Sequence, residues 1–219
     1  WGRGTGRVDT LALATPDDGA AWFDVATLTP DDEAAVAAWL ADAGRPKVLH
    51  DAKGPILALR AQGWAVAGLA SDTALAAYLS RPDQRSYDLE DLALRYLHRE
   101  LRVEDHGDQL TLDVADDAAA QDAMLQAAAV LELSGALDAE LDKLGGRSLL
   151  DAVELPLVSV LADMEEVGVA VDSEALATLE EEFATRVRTA ADEAYEVIGK
   201  EINLGSPKQL QVVLFDELG

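Results

Sequence analysis

A chain of 219 residues with 49% hydrophobic side chains can build one large domain, or one domain and part of another, around a real core. Its 17 Lys and Arg stand against 42 Asp and Glu, a formal charge of -25, which excludes broad adhesion to phosphate backbones or anionic membranes and leaves only local contacts with nucleic acid. The absence of cysteine excludes a disulfide framework and thiolate metal sites and makes the cytoplasm the default compartment.

Thr10-Leu11-Ala12-Leu13-Ala14 and Ala21-Trp22-Phe23-Asp24-Val25 read as two short strands around a turn at Pro16–Gly19, hence a hairpin. Thr29-Pro30-Asp31-Asp32 opens a helix with a cap, a proline at its first position and acids at its positive end, running to about Gly44 over Val36, Trp39 and Leu40. Lys47–His50 is a short buried strand. Helical spacing returns over 55–62, 72–79 and 88–98, the last with Leu89, Leu92, Tyr96 and Leu97 inward. Strands alternating with helices favour an α/β class. Residues 103–117 are polar and acidic and read as a loop.

Beyond Asp117 the composition turns to Ala, Leu and Glu, and the one strand signal is Val167–Asp172. Asp172 or Ser173 caps a long helix to about Gly199, with Leu176, Leu179, Phe183, Val187, Ala190, Ala194 and Val197 on one stripe. Ser206 is an N-cap, Pro207 the first helical residue, and Leu210, Val213, Leu214 and Leu218 the apolar face of a last helix. No apolar run reaches the roughly 18 residues of a membrane span, and the start at Trp1 has neither a signal-peptide core nor an initiator Met, which suggests a fragment.

Several features read as structural. Gly2-x-Gly4-x-Gly6 lacks the preceding strand of a dinucleotide loop, and His50, His98 and His106 lack metal-ligand spacing. The run Asp113–Asp117 is a solvated acidic stretch, and Trp22, Trp39 and Trp64 are core or interface filling.

Ser71-Asp72-Thr73-Ala74-Leu75-Ala76-Ala77-Tyr78-Leu79 and Ser86-Tyr87-Asp88-Leu89-Glu90-Asp91-Leu92-Ala93-Leu94-Arg95-Tyr96-Leu97 resemble the D-T-x-L-x-x-Y-L and S-Y-x-L-x-x-L-A-x-x-Y-L runs of proofreading exonuclease domains. Glu154–Val158, Leu161–Glu165 and Gly168–Asp172 are similar to the opening of the polymerase domain in bacterial DNA polymerase I, of family A. The segment Asn203–Leu210 resembles the N-S-x-K-Q-L run of its thumb. The ordered set implies a ribonuclease H-like α/β domain with a mixed sheet over residues 1–145, followed over 146–219 by the long first helices of a polymerase thumb.

The resemblance also implies where nuclease chemistry should sit. A two-metal exonuclease needs carboxylates from several separated motifs. No Asp-x-Glu pair precedes Thr10, and the family's N-x-K-Y-D run lines up with Asp51-Ala52-Lys53-Gly54-Pro55, so the ligand aspartate becomes Pro55. In the third motif Ala118 stands at the tyrosine and Asp122 at the aspartate. Asp72, too, has a family counterpart, one that more often organises structure. The expectation is a vestigial domain with neither catalytic residues nor a metal.

For the thumb, the resemblance implies that Asn203, Ser206, Lys208 and Gln209 touch the backbone of primer-template DNA, the alternative being capping alone. The parent polymerase would use Mg²⁺, whereas this piece carries no cofactor and meets DNA and the remainder of the polymerase chain, not a membrane. Two readings of other classes stay open: an active metal-dependent 3'-5' exonuclease using Asp51, Asp72 and Asp122, and an acidic protein-interaction module.

Overall fold

The computed structural model describes residues 6–101 and 112–219, and residues 112–117 by their backbone alone. The expected hairpin is present: β1 (Thr10–Thr15) pairs antiparallel with β2 (Gly19–Asp24), Thr10 opposite Asp24. Helix α1 (Pro30–Ala41) starts as its sequence dictates, with the Thr29 hydroxyl accepting from the Asp32 N–H at 3.2 Å. Its Leu40 is buried with Leu59 and Trp64, and Trp39 packs at the edge of that cluster.

Strand β3 (Lys47–Leu49) pairs in parallel with β4 (Leu69–Asp72), a strand absent from the sequence reading. Leu69-Ala70-Ser71-Asp72 holds a single large apolar residue and no alternation, so only the presence of β3 makes it a strand. The mixed character expected of the sheet takes the form of two ladders, one antiparallel and one parallel. Helices α2 (Lys53–Ala61), α3 (Thr73–Ser80) and α4 (Leu89–Leu92) follow, α4 running into a π turn over Ala93–Leu97.

Helix α5 (Leu112–Leu144) corrects the loop expected at 103–117, since the backbone is already helical at Leu112; residues 102–111 lie outside the described residues, with His106 and the start Gly2-x-Gly4. The physical reason is cooperativity. Ala129, Leu133, Leu137 and Leu141, spaced by four and fully buried, anchor the helix, and extension through Ala118–Ala120 into the acidic stretch needs no new nucleus. Those four residues form the main core with Ala76, Ala77, Leu89, Leu92, Ala93, Leu101, Leu150 and Leu155.

Helix α6 (Arg147–Leu149), a π turn (Leu150–Glu154) and α7 (Leu155–Val167) come next. The strand signal over Val167–Asp172 is a second correction: α7 ends at Gly168 with φ 71°, and among the described residues 168–172 pair with no strand. Alternation alone cannot make a strand where no sheet edge is offered. The chain divides into two compact units, Trp1–Gly168 and Val169–Gly219, so α6 and α7 pack with the exonuclease-like part.

In the second unit, α8 (Ser173–Ile198) is capped by Asp172, whose Oδ1 accepts from the Ala175 N–H at 2.9 Å, and ends at left-handed Gly199. Helix α9 (Pro207–Val212) continues into a π turn over Val213–Glu217. The apolar residues Leu176, Leu179, Phe183 and Val187 are exposed along α8. No described helix is long and apolar enough to cross a membrane.

Candidate functional site: a carboxylate between two helix starts

The parallel pair β3–β4 brings the ends of both strands to one place, and α2 and α3 begin there. Asp72, the last residue of β4, is 2% exposed. Its Oδ1 accepts from the N–H of Asp51 at 3.1 Å, of Ala74 at 2.9 Å and of Leu75 at 3.3 Å; its Oδ2 accepts from the N–H of Ala52 at 2.7 Å. One carboxylate therefore caps α3 and also ties down the backbone that enters α2, whose own N-cap residue, Ala52, has no side chain able to do so. Burial raises the Asp72 pKa above the ordinary carboxylate value, and the backbone N–H donors oppose it.

Asp51 enters this turn at φ 49°, a left-handed conformation uncommon outside glycine. His50 lies beside it, half-buried, with Nδ1 2.8 Å from the Thr73 hydroxyl. Burial lowers the His50 pKa, against the raising influence of Asp72 and Asp51. Asp72 is thus spent on backbone geometry and His50 on the Thr73 side chain.

Pro55 is buried in the first turn of α2, among Ile56, Leu57, Ala58 and Leu59. It offers no oxygen, and a proline ring in the first turn forfeits only an amide that has no helical partner there. Ala118 is exposed on α5, and Asp122, one turn further and half-buried, accepts from Gln126 Nε2 at 3.4 Å. Among the described residues no three His, Asp or Glu side chains are grouped to hold a metal ion, and Asp51, Asp72 and Asp122, all described, form no such group. Among the described residues the set does not fit the divalent ions of an exonuclease: the position at which the resemblance implies a ligand aspartate is Pro55, and Asp72 is engaged by four amides.

Charged contacts that the sequence reading missed join α2 to α7. Arg60 Nη1 lies 2.6 Å from Asp163 and 3.4 Å from Glu166, and Lys53 pairs with Glu165. Beneath them Ala52, Ile56 and Leu57 pack on Val158 and Ala162. The partners are more than a hundred residues apart in the chain, so no local pattern announces them.

The four residues singled out in the second unit sit together at the start of α9. Ser206 Oγ accepts from the Gln209 N–H at 3.5 Å, Gln209 Oε1 from the Asn203 N–H at 3.0 Å, and Asn203 Oδ1 from the Gly205 N–H at 2.9 Å. Lys208 is exposed. The Tyr195 hydroxyl donates to the Ile202 carbonyl at 3.1 Å, and Lys200 pairs with Glu217 at 2.6 Å, closing the turn between α8 and α9. The capping expected there is present in full.

A family model described as "DNA polymerase I, ribonuclease H-like domain" matches residues 8–106. DNA polymerase I of Mycobacterium bovis is 55% identical over 218 residues, which cover 98% of this chain and 24% of that protein. That of Bacillus caldotenax is 36% identical over 184 residues, covering 83% of this chain and 21% of that one. Among solved structures, the POL domain of Pol1 from M. smegmatis, in complex with DNA primer-template and dNTP, matches with a TM-score of 0.83 and 52% identity. That match covers 97% of this chain and 35% of the other. The chain spans about a quarter of the length of the curated relatives it matches.

Proposed function

This chain belongs to the DNA polymerase I family, and from that premise we propose that it is the exonuclease-like domain and leading thumb helices of a polymerase, in which the exonuclease part no longer cuts DNA and serves as structural support. The observation that carries the reading is Pro55, an apolar, buried residue at the position where the resemblance implies a metal-binding aspartate. Asp72 supports it, because its two oxygens serve four backbone amides and two helix starts.

The wider activity follows the same premise. The whole polymerase would extend a primer on a DNA template from deoxynucleoside triphosphates with Mg²⁺, in the cytoplasm, during repair and lagging-strand maturation. Asn203, Ser206, Lys208 and Gln209 would contact the DNA backbone at the base of the thumb, the M. smegmatis POL domain being a complex with primer-template DNA. The oxygens of Asn203 and Gln209 hold backbone amides, which leaves their amide NH₂ groups and the Lys208 ammonium as donors of the kind phosphate oxygens accept.

Incubation of the pure chain with 3'-labelled single-stranded DNA and Mg²⁺ or Mn²⁺ tests the loss of nuclease activity. No trimming is expected. Metal-dependent trimming that disappears in Asp122→Ala would establish the active exonuclease instead.

A further inference from the structure

The parallel ladder leaves one edge of β4 open. Among the described residues only β3 pairs with β4, so the far edge of Leu69–Asp72 keeps its main-chain donors and acceptors. The register slips by one between Lys47, opposite Leu69, and Val48, opposite Ser71, which leaves Ala70 without a partner on β3. Leu69 and Ala70 line a cavity of about 510 Å³ that is open to solvent. To the same cavity α6, the π turn and α7 contribute Arg147, Asp151, Pro156 and Ser159.

The chemistry of that lining selects what the groove can take. Arg147 is already spent: its Nη1 lies 2.6 Å from Asp138 and its Nε 2.9 Å from Asp151. One guanidinium against two carboxylates leaves the site net negative, with no other cation in the lining to hold a phosphate. An acceptor is left over as well. The Leu155 N–H donates to the Leu150 carbonyl and Pro156 has no N–H, so the Asp151 carbonyl has no amide of its own helix to accept from.

We propose that this groove binds an extended, lysine-bearing peptide segment of a separate protein. The segment adds as a strand to the free edge of β4, main chain to main chain, and sets an ammonium group against the carbonyl and carboxylate of Asp151. Charge selects this occupant over the others. Nucleic acid is an anion, a second copy of this chain carries a formal charge of -25, and the negative groove disfavours both.

Fluorescence anisotropy of a labelled peptide of alternating lysine and valine, titrated with the 219-residue chain, tests the proposal. Saturable binding is expected, weakened at least about tenfold when alternate peptide nitrogens are methylated, because that removes main-chain donors at unchanged charge. A glutamate–valine peptide of equal length should also bind at least about tenfold more weakly. Ser159→Tyr, which adds bulk at an exposed position lining the groove, should weaken binding by a similar factor and leave the melting temperature unchanged. No binding up to about 1 mM, or equal binding of the methylated or the acidic peptide, would overturn the proposal. Undiminished binding by Ser159→Tyr would do so too. A labelled oligonucleotide that this variant releases, or a dimer in sedimentation that it dissociates, would assign the groove to nucleic acid or to a second copy instead.

Discussion

Replacing Asp72 by alanine should destabilise the first unit out of proportion to the size of the change. The substitution strips the acceptor from the Ala74 and Leu75 amides of α3, an N-cap loss of about 1 kcal/mol. It also strips the acceptor from the Asp51 and Ala52 amides; a buried donor left unsatisfied costs roughly 1–3 kcal/mol, and Ala52 is fully buried. Against this stands relief from keeping a carboxylate out of water, the effect that raises its pKa. The balance is a loss of about 2–4 kcal/mol, since the four amides are spread over two helix starts and water can reach only the exposed Asp51 side. Urea unfolding followed by far-UV circular dichroism measures it as a lower midpoint at unchanged slope. A loss below about 0.5 kcal/mol would refute the reasoning, because the helix starts would then not depend on this side chain.

Asp72 also sets a sign for pH dependence. Its folded pKa is raised, so the part of its contribution that is linked to the carboxyl proton is complete below the unfolded carboxylate value of about 3.9 and is lost as pH rises through the folded value, while the amide contacts remain; the wild type should show this decline relative to Asp72→Asn in pH-resolved urea titrations. Gly68, at φ 72°, has no room for a Cβ, which would sit 2.8 Å from the Arg45 carbonyl and 3.0 Å from that of Ala43, so Gly68→Ala should cost about 2–4 kcal/mol in thermal or urea unfolding. With a formal charge of -25, the isolated chain should bind duplex DNA more weakly than about 10⁻⁵ M at physiological salt, read by fluorescence anisotropy; tight, salt-resistant binding would contradict the local-contact account of the thumb.

Much of the secondary structure was legible because its signals are local. The hairpin around Gly19, the Thr29-Pro30 start of α1, the Asp172 cap and the Ser206-Pro207 start all follow from residues within one turn of each other. The failures were failures of locality. Strand β4 needs β3 some twenty residues away, Val167–Asp172 alternates like a strand but meets no edge, and the helix at 112–117 is carried by leucines buried further along α5.

The same division holds for the site. From sequence alone, the resemblance that sets Pro55 at a ligand aspartate's position already implied a missing metal ligand, because proline lacks the atom whatever the fold. What Asp72 does, and what holds α7, were decided only by tertiary structure. A carboxylate's role depends on which donors converge on it, and an ion pair between residues 60 and 163 exists only after α2 and α7 are brought side by side. Residue type constrains chemistry, but the partner that turns a side chain into a pin, a ligand or a seam is supplied by the folded chain.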